Sequence, residues 1–164
     1  GLSMYKVMKI GGKDYKIEFA VEAALYDGCV SSVMGLIGGM AVAAREKEIK
    51  GIIAGMANIP QTALTLFYAG LMEHHGDSGD RTITQMTDAK NLIIQYFKEH
   101  PGDSFYDIMN LMMDQMGEDG FFEQIGLEKM MKKYFPEAMQ KNGAETVTTI
   151  PQDHKSKTKK ASGK

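Results

Sequence analysis

Cysteine occurs once in the 164 residues, at Cys29. A single thiol excludes an intramolecular disulfide and any zinc site built on cysteine ligands, and it fits a reducing cytoplasm. No secretory signal stands out, because the stretch after Met4 lacks a basic region leading into a long apolar core. Long apolar runs are scarce throughout. The longest uncharged one, Gly28 to Ala44, holds four glycines and two serines, and it falls short of the ~20 apolar residues that a membrane span needs. Positive charge is also in short supply outside the C-terminus. Residues 152–164 carry five lysines against one aspartate, which is +4 and leaves −6 on residues 1–151 out of a net −2. A mildly acidic body argues against a dedicated nucleic-acid binder, and the alternative of a nucleic-acid-associated protein working through its lysine tail rests on weak, salt-dependent attraction.

Catalytic patterns are missing too. There is no Gly-x-Ser-x-Gly elbow for a nucleophile. Gly12-Lys13 runs into Asp14 without the upstream glycine of a phosphate loop, and Gly35 to Gly39 lacks dinucleotide spacing. In Asp77 to Asp88 a calcium loop would need glycine where Thr82 stands and a bidentate glutamate where Asp88 stands. His74 and His75 are neighbours, so on a helix they point about 100° apart and do not share a metal as an i, i+4 pair does. They suit a polar helix end. Neither a metal, a cofactor nor a catalytic residue is expected, and the chain does not read as an enzyme.

What is present is ordinary globular material, with 43% hydrophobic and 24% charged residues. The expected class is mainly α: one helical domain over residues 4–143 with a short N-terminal β-hairpin, followed by a disordered basic tail over 144–164. Gly1-Leu2-Ser3 ahead of Met4 reads as a cloning remnant. Tyr5 to Ile10 and Tyr15 to Phe19 flank Gly11-Gly12-Lys13-Asp14, and Tyr15, Ile17 and Phe19 alternate with Lys16 and Glu18. That is the pattern of a hairpin over residues 4–19. A lone hairpin is marginal in water, so it must pack on helices or pair its edges with another chain.

The helical body spans 20–143. Val21, Ala24 and Leu25 suggest a first short helix, and Cys29 to Lys50 a second. The four-residue glycine spacings, Gly35 with Gly39 and Gly51 with Gly55, suggest close helix contact or a break. Lys50 to Ala57 reads as a short helix or connector. The clearest helix runs from Asn58 to Gly76, with Leu64, Phe67, Tyr68, Leu71 and Met72 on one stripe, Pro60 in its first turn and Gly70 in its middle. A central glycine costs ~1 kcal/mol against alanine, and here it suggests close approach of another helix. Thr82 with Gln85 and Ser104 with Asp107 resemble capping boxes for two further helices. The first buries Met86, Ala89, Ile93, Tyr96 and Phe97. The second carries Met109, Met112, Met113 and Met116 at i, i+3, i+4 and i+7. Short helices over Phe121–Ile125 and Leu127–Tyr134 and a turn over Glu137–Asn142 complete the chain.

Methionine is abundant, at 14 residues. Its flexible thioether suits surfaces that adapt to partners. The Met109 to Met116 stripe therefore reads either as core or as a face for a partner helix, the latter making the protein a small helical adaptor or regulator.

The opening Ile10-Gly11-Gly12-Lys13-Asp14-Tyr15-Lys16-Ile17-Glu18-Phe19, followed by small helices and Leu66-Phe67-Tyr68-Ala69-Gly70-Leu71, resembles the tail assembly chaperones of long-tailed bacteriophages and prophages of Gram-positive bacteria. The similarity covers roughly residues 4–100. It implies a non-enzymatic protein of the host cytoplasm that coats the tape-measure protein until the tail tube polymerises and is absent from the virion. It also implies a ring or spiral homo-oligomer, and a longer partner form made by ribosomal frameshifting. The Lys159-Lys160 pair suits an A-rich slippery site and equally suits an ordinary basic tail. No membrane and no specific nucleic acid are implied. On this view the partner-binding and oligomer-forming residues are Tyr15, Ile17, Phe19, Tyr68, Gly70 and Leu71, with Met109, Met112, Met113 and Met116 from the methionine stripe.

Overall fold

The computed structural model describes residues 5–46 and 58–137. Strands β1 (Lys6–Ile10) and β2 (Lys13–Ile17) form an antiparallel hairpin. Helices α1 (Val21–Leu25), α2 (Asp27–Glu46), α3 (Ile59–His75), α4 (Met86–Glu99), α5 (Phe105–Glu118), α6 (Phe121–Gln124) and α7 (Leu127–Tyr134) follow. The mainly α class with an N-terminal hairpin is therefore the observed one. The connector Lys50–Ala57, most of the Glu137–Asn142 turn, Gly51, Gly55 and the tail with Lys159 and Lys160 lie outside the described residues.

The hairpin turn is tighter than the four residues expected. Gly11 and Gly12 alone make it, at φ +60° and +80°, the left-handed pair that matches strand twist and that glycine adopts without strain. Ile10 then faces Lys13, and the register continues to Lys6 opposite Ile17. The inner face carries Met8, Ile10, Tyr15 and Ile17, all buried.

The hairpin packs on α3, the central helix. Burial on α3 is wider than one stripe: Ala63, Thr65, Leu66, Phe67, Ala69, Gly70, Leu71 and His75 are all buried, while Leu64, Tyr68 and Met72 are only partly so. A helix flanked by the hairpin, α1, α2, α4 and α5 has partners on most sides. Pro60 sits in its first turn, as expected, but the Asn58 side chain makes no capping bond.

Several local expectations shift. On α1 the buried residue is Ala23, while Val21 and Leu25 are exposed, Leu25 to 77%. Helix α2 runs unbroken through Gly35 and Gly39, and a Cβ at either position would meet nothing within 4 Å. Among the described residues no close helix contact is made there, and the helix does not break. The cap ahead of α4 lies three residues later than expected: the Asp88 carboxylate accepts the Thr84 and Gln85 N–H groups. The box ahead of α5 is where the sequence puts it, with Ser104 and Asp107 exchanging bonds. Gly120 and Gly126, both left-handed, open α6 and α7.

Candidate interaction site at the hairpin–helix joint

The N-terminal segment is fastened to the helices through main-chain donors that helix side chains and carbonyls accept. Lys16 and Glu18 have parallel orientation along the strand direction, so their N–H groups leave the same edge of the hairpin. The Lys16 N–H donates to His75 Nε2 at 2.9 Å, and the Glu18 N–H donates to the Gly70 carbonyl at 2.9 Å. Just beyond, the Phe19 N–H donates to Asp119 Oδ2 at 2.8 Å, and the Glu22 N–H donates to Glu73 Oε1 at 3.3 Å. At the far end the Gly11 N–H reaches the Glu99 carboxylate. Helices α3, α4 and the end of α5 thus supply acceptors from beneath and beside the hairpin.

Gly70 is the closest point of this joint. A Cβ there would lie 2.8 Å from Ile17 Cγ2 and 2.9 Å from Phe19 Cζ. The element approaching Gly70 is therefore the end of the hairpin of the same chain, not another helix. Phe19 continues into the core, with its ring edge-on to Phe121 at 5.8 Å.

His75 is 5% exposed and uses both ring nitrogens. A backbone N–H only donates, so Nε2 is the acceptor and the proton resides on Nδ1, which donates to Asp80 Oδ2 at 3.1 Å. Asp80 also accepts the Thr82 hydroxyl and N–H on Oδ1. The Thr82 hydroxyl bond, with help from the Thr82 N–H and His75, lowers the Asp80 carboxyl to about 2. Burial raises the carboxyl of Asp119, opposed by its bonds from Phe19 and Gln115. Next to His75, His74 Nε2 lies 2.7 Å from Glu18 Oε1. A His–Asp pair invites comparison with an activated base, but the lone pair of His75 is already used by the Lys16 N–H. Among the described residues no group of three or more His, Cys, Asp or Glu side chains is placed to hold a metal.

The sequence-derived partner residues fall into two sets. Tyr15, Ile17, Phe19 and Gly70 come together in this joint, Leu71 belongs to the same hydrophobic core, and all five are buried within the chain. They are internal packing, and so is the methionine stripe: Met109 is 5% exposed and Met112, Met113 and Met116 are at 0%. The face expected to meet a partner helix is turned into the core, because α5 packs against α3 and needs an apolar stripe to do so. Tyr68 alone is partly exposed. Its hydroxyl donates to the Thr84 carbonyl at 3.1 Å, and its ring meets Tyr26 edge-on.

Sequence reasoning missed His75, Asp80, Asp119, Glu73 and Glu99. The one available signal was the position of His75 at the end of a buried stripe. Asp119 sits in what reads as a glycine-flanked break, where nothing points to a partner 100 residues away. No family model, curated protein or solved structure matches this chain.

Proposed function

We propose that this protein is a tail assembly chaperone of a long-tailed phage or prophage, which self-associates and keeps the tape-measure protein soluble until the tail tube polymerises. The observation that supports this reading is the joint itself. The two segments that carry the resemblance, Ile10–Phe19 and Leu66–Leu71, meet as one packed unit through Ile17, Phe19 and Gly70. The resemblance therefore rests on one packed unit of the fold rather than on two separated stretches. On this reading the protein works in the host cytoplasm, without catalysis, alongside a longer frameshifted form of itself. The adaptor alternative loses its surface, since the methionine face it relied on is buried.

The test is co-expression with the tape-measure protein encoded beside it. The tape-measure protein should be recovered in the soluble fraction only when this chain is present. Equal recovery with and without it rejects the proposal.

A further inference from the structure

Helix α1 turns Ala23 inward and leaves Val21 and Leu25, one turn apart on the opposite side, 51% and 77% exposed. Carboxylates border this apolar row. Glu22 lies three residues before Leu25, next to it on the helix surface, and its Oε2 accepts the Ser78 hydroxyl at 3.0 Å. Glu73 of α3 reaches the same place, where its Oε1 accepts the Glu22 N–H at 3.3 Å. Asp27, two residues beyond Leu25, is exposed. Among the described residues no cation pairs with any of the three.

Helix α7 carries the reverse combination. Only Leu127 on it is fully buried. Met130 and Tyr134, again one turn apart, are 41% and 65% exposed, and Phe135 follows at 55%. Lys129 and Lys133 form the adjoining row at the same spacing. The Lys133 ammonium lies 5.6 Å from the centre of the Tyr134 ring, so the two rows share one face. Glu128, the one carboxylate of α7, pairs with Lys132 at 3.3 Å. Among the described residues Lys129 and Lys133 have no acid partner.

We propose that these two surfaces meet between copies of this chain. The Val21–Leu25 row of one copy packs on the Met130–Tyr134 row of the next, with Lys129 and Lys133 set against the carboxylates around α1. Charge selects this arrangement over the others. Two α1 surfaces face to face would oppose carboxylates, and two α7 surfaces would oppose lysines. Residues 152–164 also bring lysines, but no apolar side chain larger than alanine to cover Val21 and Leu25. Because the contact joins unlike patches, each copy retains a patch for a further neighbour unless the rotation between copies closes the set. The inference rests on the self-association in the chaperone reading and assigns it to surfaces away from the buried joint and the buried methionine stripe.

The test is sedimentation velocity of the full chain over a range of concentrations. Lys129→Glu with Lys133→Glu should weaken association by about tenfold or more, and Glu22→Lys with Asp27→Lys should do the same. An equimolar mixture of the two variants should associate again, since each then offers the surface the other lacks. Rescue by mixing requires folded variants, and Leu25→Ser, at a position 77% exposed, should weaken association with helical content retained. A chain ending at residue 151 should associate as the parent does. Association left unchanged by the reversals and by Leu25→Ser overturns the assignment of surfaces while leaving the chaperone reading in place, and so does a mixture that fails to recover or a loss on removing the tail. A parent chain that stays monomeric at every concentration overturns the assignment together with the self-association it rests on.

Discussion

Gly70 has room for a hydrogen and nothing larger. In an open helix, Gly70→Ala would stabilise by about 1 kcal/mol through propensity. Here the added methyl would press on Ile17 Cγ2 and Phe19 Cζ, both on fully buried side chains. Overpacking of this kind costs about 1–3 kcal/mol, so the net change is a loss. Urea denaturation of Gly70→Ala should show a lower midpoint, and an unchanged or higher one would disprove the close approach. Asp80 predicts a pH effect. Its carboxyl is held at about 2 in the folded chain, against an ordinary 3.8. A depressed folded-state value means that folding favours the ionised form. The contribution is complete above about pH 4 and disappears as pH falls through about 2. With the side chain 47% exposed, solvent keeps it below about 1 kcal/mol. Asp119 works in the opposite sense, because burial raises its carboxyl and protonation there favours the folded chain. Asp80→Asn should therefore flatten the loss of stability between about pH 4 and pH 2, read from urea midpoints at several pH values. An acid limb as steep as that of the parent would count against the assignment.

At the level of elements, caps and turns carry most of what can be tested. Ser104 accepts the Asp107 N–H while the Asp107 carboxylate accepts the Ser104 N–H and hydroxyl. Ser104→Ala should cost about 0.5–2 kcal/mol, measured by thermal unfolding, with the native helical content retained at low temperature. That box was readable in the sequence because its two members are three residues apart and touch only each other. The hairpin was readable for the same reason, since Gly11-Gly12 and the Tyr15, Ile17, Phe19 alternation are local. Leu127–Tyr134 was legible to the residue, bounded by Gly126 and the residues just before Pro136. The cap of α4 was misplaced because Thr82 with Gln85 has the spacing of a capping box, whereas the box that forms pairs Gln85 with Asp88, three residues further on. The stripe on α1 was misassigned because a five-residue helix holds too few positions to fix a face, and contact with α3 decided in favour of Ala23. The joint was only half legible. Its apolar members announce themselves by pattern, whereas His75 and Asp119 act through partners 59 and 100 residues away.

For the whole molecule, the described residues include no helix long and apolar enough to cross a membrane, and the proposed role requires subunits to associate with one another. Light scattering should show mass rising beyond a dimer as concentration increases. A monomer across a wide range of concentration would weigh heavily against the chaperone proposal. The same experiment on a Gly70 variant separates two effects: since the contact is internal, any loss of assembly there should follow loss of folding rather than precede it.

The Phe19 N–H bond to Asp119 also sets an order of events during synthesis. The hairpin leaves the ribosome first, yet the acceptors that close its edge and tail are encoded at positions 70, 75 and 119. At translation rates of about 5–20 residues per second, the last of them arrives some ~5–20 s later. Until helix α3 is made the strands have no helix to rest on, and the Asp119 acceptor follows only after α3 and α4. The nascent chain thus passes through a period in which its hairpin has no helix beneath it, and the first element made is among the last to be secured.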